Sequence, residues 1–264
     1  MDKNPITAPS LTEMKSRGEK ISVLTAYDYA WGRLIDEAGI DVALVGDSLG
    51  MVVLGYETTL QVTMDDMVRH TAAVARGAKR ALVVADMPFL SYHVSEEEAV
   101  RNAGRLLSEA GAEAVKLEGG GQVAETVRRI VDVGIPVWGH VGMTPQSVHR
   151  LGGHRMQGKD AENAERIKRE ALELQDAGAC AVVLELIPAA LAKEITASLV
   201  IPTIGIGAGP DCDGQVLVTH DMLGLYDRFV PSFVKQYAKL WQTTLKAFKA
   251  YNQDVKSGRF PEQR

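Results

Sequence analysis

Carboxylates follow apolar runs with unusual regularity in this chain. Asp28 closes Ile-Ser-Val-Leu-Thr-Ala-Tyr, Asp47 and Ser48 close Val-Ala-Leu-Val-Gly, Asp86 closes Ala-Leu-Val-Val-Ala, and Glu118 closes Ala-Val-Lys-Leu; His140 ends a fifth run and Glu185 a sixth. A single Asp after a strand is a common turn residue or helix N-cap, and Asp28 taken alone reads that way. Several at successive strand ends ask for more. Convergent carboxylates repel one another and take up protons unless a cation neutralises them, so the set predicts a bound metal. Asp47, Asp86 and Glu118 offer oxygen, and no His pair stands at zinc-site spacing, which favours a hard ion such as Mg²⁺. Magnesium often keeps several waters and takes one or two direct carboxylates, leaving Glu118 open to direct or water-mediated ligation.

Lys116 sharpens the pattern. Side chains alternate across a strand, so Val115 and Leu117 share one face while Lys116 and Glu118 share the other, towards the interior. An inward lysine is either the ion-pair partner of a neighbouring carboxylate or a clamp for a substrate carboxylate or keto oxygen. His140 likewise reads as a hydrogen-bonding group near a substrate or as a structural histidine below it.

These residues converge only if the strands carrying them lie side by side. Eight β-branched or aliphatic runs are candidates: Ile21 to Ala26, Val42 to Gly46, Leu82 to Ala85, Ala114 to Leu117, Pro136 to Gly139, Ala181 to Leu184, Pro202 to Ile206 and Gln215 to Val218. Segments of helical period alternate with them, among them Glu96 to Ala110, Val123 to Val133 and Ala161 to Ala177, and several stop at glycines suited to a left-handed C-cap. Repeated βα units predict an α/β fold with a parallel sheet, and the count favours a closed (βα)8 barrel over an open doubly wound sheet. In such a barrel the strand C-termini meet on one face, where catalytic groups are found.

No low-complexity linker divides the 264 residues, so the expectation is a single domain, 1–264, with a short helical lead-in and a helical tail. Phe233, Tyr237, Leu240, Trp241, Leu245 and Phe248 share one face of the helix expected between Pro231 and Tyr251; they either cover the barrel or meet another subunit. Gly205-Ile-Gly-Ala-Gly209 is followed at once by Pro210 and is not a Gly-x-Gly-x-x-Gly fingerprint, so a tight turn with close backbone approach to a ligand is preferred to a phosphate loop. Residues 144–159, with His149, Arg150, His154 and Arg155, read as a long basic loop, either a lid over an anionic ligand or simply solvated.

The composition, 46% hydrophobic and 24% charged, is that of a globular protein with a substantial core. A net charge of -5 and a pI near 5.7 argue against an extended nucleic-acid surface. The N-terminus lacks the apolar region of a secretory signal and no apolar stretch is long enough to span a bilayer, so a cytoplasmic protein without membrane partners is expected. Cys180 and Cys212 form neither a zinc spacing nor a disulfide framework, which fits a reducing compartment.

Ordered blocks over nearly the whole chain carry a resemblance. Thr25-Ala-Tyr-Asp-Tyr, Val45-Gly-Asp-Ser-Leu-Gly-Met, Ala85-Asp-Met-Pro-Phe, Val115-Lys-Leu-Glu-Gly-Gly, Gly139-His-Val-Gly-Met-Thr-Pro-Gln-Ser, Leu184-Glu, Ile204-Gly-Ile-Gly-Ala-Gly and Asp213-Gly-Gln-Val-Leu-Val resemble the ketopantoate hydroxymethyltransferase family. The resemblance implies a (βα)8 TIM barrel of the phosphoenolpyruvate/pyruvate type, Mg²⁺ as the metal, and a homo-oligomer, often a decamer. It also implies transfer of a hydroxymethyl group from methylene-tetrahydrofolate to 3-methyl-2-oxobutanoate in pantothenate biosynthesis. Carried over by position, it implies Asp47, Asp86 and Glu118 as metal carboxylates, contacts to the keto acid from Asp47, Ser48, Asp86 and Lys116, and Glu185 as the general base; His140 stays open between its two readings. Two rivals stand beside it. Metal-dependent carbon–carbon or carbon–phosphorus lyases of the same barrel commonly carry a catalytic cysteine on a Lys-Lys-Cys-Gly-type loop, and this chain has no such run. A non-catalytic binding protein on the same barrel would have little reason to keep Glu185.

Overall fold

The computed structural model describes residues 4–262 of the chain. Two compact units divide it, Met1–Val216 and Leu217–Arg264. The first opens with α1 (Ala8–Ser16) and continues through β1 (Ile21–Thr25), α2 (Tyr29–Glu37), β2 (Val42–Val45), α3 (Leu49–Val52), α4 (Met64–Gly77), β3 (Leu82–Asp86), α5 (Glu96–Ser108) and β4 (Ala114–Glu118). Then come α6 (Ala124–Asp132), β5 (Val137–Gly142), α7 (Val148–Leu151), α8 (Ala161–Asp176), β6 (Ala181–Glu185), α9 (Ala189–Ser198), β7 (Thr203–Ile206) and β8 (Gly214–Leu217). The strands follow one another in chain order around a closed barrel, as the eight apolar runs predict.

Alternation along the strands explains the layering. Inward residues Val23, Leu44, Val84, Ala114, Trp138, Val183 and Ile204 form one buried apolar cluster, to which α1 adds Leu11 and Met14. The opposite faces, with Val115, Leu117 and Val182, join the larger cluster beneath the helices through residues such as Leu106, Ile130 and Leu174. Each such buried side chain contributes about 1.5–3 kcal/mol, and that burial offsets the cost of what lies above. Two residues further along the inward faces, Val84 gives way to Asp86, Ala114 to Lys116, Trp138 to His140 and Val183 to Glu185, all but Glu185 fully buried. Parallel register sets Asp86 beside Lys116, Glu118 beside His140, and Gly142 beside Glu185.

The helices are capped by their own sequence. Thr63 and Asp66 form a capping box on α4, and Ser95 caps α5, whose first turn holds Glu96, Glu97 and Glu98 against the positive end of the helix dipole. Asp28 is the N-cap of α2, its side chain accepting from Trp31 N at 2.9 Å.

Several details depart from the sequence reading. β5 runs on to Gly142 rather than stopping at Gly139, so His140 lies within the strand; Leu174 lies close over Gly139, where a Cβ would sit 2.7 Å from its Cδ1. The segment 144–159 is not all loop, since a 3₁₀ turn at Pro145–Ser147 leads into α7, while His149, Arg150, His154 and Arg155 stay exposed. In the glycine run after β7, Gly209 has φ +80°, as a tight turn requires, and a Cβ there would meet that of Ala189 at 2.4 Å, so the turn is also closely packed.

The second unit contains α10 (Thr219–Met222) and α11 (Leu240–Lys256). The tail helix therefore begins nine residues after Pro231, and Phe233 and Tyr237 lie before it. The backbone N–H groups of Tyr237, Leu240 and Trp241 instead donate to the carbonyls of Met222, Leu223 and Gly224 at 2.8, 2.9 and 3.0 Å. Among the described residues no helix is long and apolar enough to cross a membrane.

Candidate active site

The polar layer at the strand C-termini gathers the residues singled out from sequence. Lys116 Nζ lies 2.9 Å from Asp86 Oδ1 and 3.2 Å from His140 Nδ1. Burial works to discharge Lys116, but the charges of Asp86, Glu118 and Asp47 outweigh it and hold the ammonium more firmly protonated than usual. Both sequence readings of this lysine remain compatible with that ion pair.

Asp47 reaches the layer from the turn after β2. Its backbone N–H donates to Asp86 Oδ2 at 3.0 Å. Burial, reinforced by the Asp86 charge, pushes its carboxyl up to about 7. Gly46 makes this turn possible, because a Cβ there would lie 2.7 Å from Ser48 Oγ and 3.6 Å from Asp86 Oδ2. The Ser48 hydroxyl shares a hydrogen bond of 2.8 Å with Tyr27 Oη. That is the physical sense of an apolar strand ending in Gly-Asp-Ser: the chain turns tightly, and its carboxylate and hydroxyl are set beside the carboxylate of the next strand.

Glu118 and Glu185 flank His140. His140 Nδ1 lies 3.7 Å from Glu118 Oε1, and His140 Nε2 lies 3.2 Å from Glu185 Oε2. Burial and then the Lys116 charge hold His140 well below the usual histidine range, so the imidazole is neutral. An ammonium has no lone pair to offer, so Nδ1 is the acceptor and the ring proton belongs on Nε2, which lies near Glu185 without forming a hydrogen bond to it. Burial raises Glu118 well above the usual carboxylate range, with Asp47 adding to it. Burial likewise raises Glu185 to about 7, against the opposing pull of Lys116 and His154.

Two residues of this site have no counterpart in the sequence reading. Gln146 Nε2 donates to Asp47 Oδ2 at 2.9 Å and to Met87 O at 3.0 Å, and its backbone N–H donates to Glu118 Oε2 at 2.9 Å. Its Oε1 accepts from Tyr92 Oη at 2.7 Å, while that same hydroxyl accepts from Glu118 N at 3.1 Å. Gln146 and Tyr92 thus tie the ends of β2, β3 and β4 to the turn after β5. A neutral amide in a Thr-Pro-Gln-Ser turn has no charge or period to mark it, and only its place in a quoted block drew it near the site.

The charge balance tests whether these residues suit a divalent cation. Four carboxylates, Asp47, Asp86, Glu118 and Glu185, face one ammonium and a neutral imidazole, and burial with the neighbouring negative charges drives protons onto Asp47, Glu118 and Glu185. Oxygen donors short of positive charge suit a hard ion. Among the described residues no three His, Cys, Asp or Glu side chains are grouped to hold an ion as they stand. The fit is therefore to an ion that takes a pair of carboxylates and completes its shell with water and substrate, as Mg²⁺ does.

Comparisons with known proteins bear on family and fold. A sequence model of the family described as Ketopantoate hydroxymethyltransferase matches residues 5–263. A 3-methyl-2-oxobutanoate hydroxymethyltransferase of Syntrophus aciditrophicus (strain SB) is 60% identical over 258 residues, covering 98% of this chain and 95% of its own length. The protein of the same name from Moorella thermoacetica is also 60% identical over 258 residues, with 98% and 96% covered. Among solved structures, phosphoenolpyruvate phosphomutase from Streptomyces platensis subsp. rosaceus aligns with a TM-score of 0.64 at 15% identity, over 96% of this chain and 88% of that one. A 2,3-dimethylmalate lyase of the PEP mutase/isocitrate lyase superfamily aligns with a TM-score of 0.60 at 15% identity, over 97% and 89%. The structural likeness shows the fold.

Proposed function

The chain belongs to the ketopantoate hydroxymethyltransferase family, and we propose that Glu185 is the base by which it transfers a hydroxymethyl group to 3-methyl-2-oxobutanoate, forming ketopantoate in pantothenate biosynthesis. The one-carbon unit comes from methylene-tetrahydrofolate. The observation that carries the assignment is the Glu185 carboxylate, raised to about 7 at the end of β6 and facing the Asp86–Lys116 pair across His140. A carboxylate with that affinity for protons exchanges them near neutral pH, as a general base should.

Asp47 and Asp86 would hold a Mg²⁺ ion, with Glu118 reaching it through water or directly. When bound there, the ion supplies the positive charge that favours the enolate form of the keto acid. Lys116 and Ser48 meet the substrate's carboxylate and keto oxygens from the two sides of Asp86, as a fixed ammonium and an orienting hydroxyl. Glu185 takes the proton from C3, with His140 Nε2 3.2 Å from its carboxylate as the neighbouring neutral polar group. The carbanionic carbon then bonds to the methylene carbon of the donor. That carbon reaches the carbanion with both of its bonds to folate nitrogen broken: water has supplied its oxygen and a proton to each nitrogen, and the C3 proton held by Glu185 passes to the new hydroxyl as the reduced folate leaves. The rest of the proposal is a homo-oligomer, with a decamer expected, working in the cytoplasm.

Incubating the protein with 3-methyl-2-oxobutanoate in D₂O without folate isolates the first step. Exchange at C3 should require Mg²⁺, rise about tenfold per pH unit below pH 7 and level above it, because only the deprotonated form of Glu185 acts. Glu185→Gln should bind keto acid and Mg²⁺ yet lose exchange. Undiminished exchange in that variant would remove Glu185 from the role.

A further inference from the structure

A cavity of about 300 Å³ lies at the barrel rim, and none of Asp47, Asp86, Lys116 or Glu185 lines it. Its inner wall is backbone: Gly119, which directly follows Glu118, and Gly142, which is in register with Glu185. The cavity is thus one strand away from the proposed base and shares no lining residue with the proposed keto-acid site. Its outer wall is polar, with Arg150 from α7 and Arg166 and Glu170 from α8.

Glu170 is seated there by the chain itself. A Cβ at Gly120 would lie 2.1 Å from Glu170 Cγ, so glycine at 120 leaves the room this side chain occupies. Arg166 Nη1 donates to Glu170 Oε1 at 2.6 Å, which fixes the carboxylate, and the Glu170 side chain is only 18% exposed. The pair presents an acceptor beside a donor, both oriented, with the carboxylate largely withdrawn from solvent and the guanidinium 39% exposed.

We propose that this cavity receives the pterin head of the one-carbon donor, with the aminopyrimidinone edge on Glu170 and Arg166 and the anionic tail leaving past Arg150; the proposal rests on the transferase reading above. A pterin carries an amine and a ring N–H side by side, matching a carboxylate, next to a carbonyl that matches a guanidinium. The volume admits a fused bicyclic ring but not the whole folate. The aminobenzoyl-glutamate portion must therefore extend outwards past Arg150, an exposed cation of the lining that complements its carboxylates.

Calorimetry with 5-formyltetrahydrofolate and with tetrahydropterin, in the presence of Mg²⁺ and keto acid, tests the assignment. Glu170→Gln should weaken both ligands about tenfold or more and raise KM for methylene-tetrahydrofolate to match, with KM for the keto acid unmoved. Arg150→Ala, a change at an exposed position, should weaken the folate several-fold and leave tetrahydropterin as in wild type. If both variants bind both ligands within twofold of wild type, the cavity is not the donor site. Loss of C3 exchange in the wild-type protein would instead overturn the underlying transferase reading, so the two failures are distinguishable.

Discussion

At the scale of single residues, Gln146 carries more of the site than any neutral side chain near it. Its amide and backbone N–H groups hold Asp47 and Glu118, and its own carbonyl is held by Tyr92. Removing the amide leaves the buried Asp47 carboxylate and the Met87 carbonyl less well satisfied, while the backbone bond to Glu118 stays; this costs about 1–3 kcal/mol, and groups that orient metal ligands typically change metal affinity about 10–100-fold. Gln146→Ala should therefore raise the Mg²⁺ concentration needed for C3 exchange at least about tenfold. Calorimetric Mg²⁺ titration should show the same loss, and the urea midpoint should fall. Tyr92→Phe acts one bond further out and should give a smaller shift in the same direction. An unchanged Mg²⁺ affinity in Gln146→Ala would mean that the amide only fills space.

At the scale of elements, two glycines separate fold from chemistry. Gly142 has φ +95°, and a Cβ there would lie 2.3 Å from the backbone oxygen of Glu185, an atom fixed in the sheet. Gly142→Ala should lower unfolding free energy by at least about 2 kcal/mol in urea melts, since neither the dihedral nor the partner strand can give. At Gly46 the nearest atom is Ser48 Oγ, which can rotate. Gly46→Ala should cost under about 1 kcal/mol but break the Tyr27–Ser48 bond and raise KM for the keto acid; equal stability losses in the two variants would refute the distinction. The same contrast explains what sequence could tell. Eight strands were legible because inward and outward positions alternate, and Asp86, Glu118 and Glu185 were legible because a carboxylate on an apolar face needs a reason. Gln146 was not, because its partners come from strands far away in the chain. The start of the tail helix was misplaced for a related reason: Phe233 and Tyr237 continue an apolar period, but the N–H of Tyr237 is taken by Met222.

At the scale of the whole molecule, the surface that stands out is that of α11. Trp241, Leu245, Phe248, Tyr251 and Val255 recur at helical spacing on one face, are between 44% and 68% exposed, and no residue of the helix is buried. An apolar stripe of that size on a monomer is an association surface by default, and a second copy of the chain is the occupant that the homo-oligomer reading supplies. Trp241→Glu combined with Phe248→Glu places charges where such a contact would be driest. Sedimentation velocity should then show the wild-type assembly replaced by a smaller species, while the circular dichroism melt of the barrel persists. Every residue assigned to proton removal lies within residues 1–216, so the smaller species should still exchange C3 of the keto acid. A wild-type monomer, or a double variant that sediments unchanged, would detach α11 from assembly.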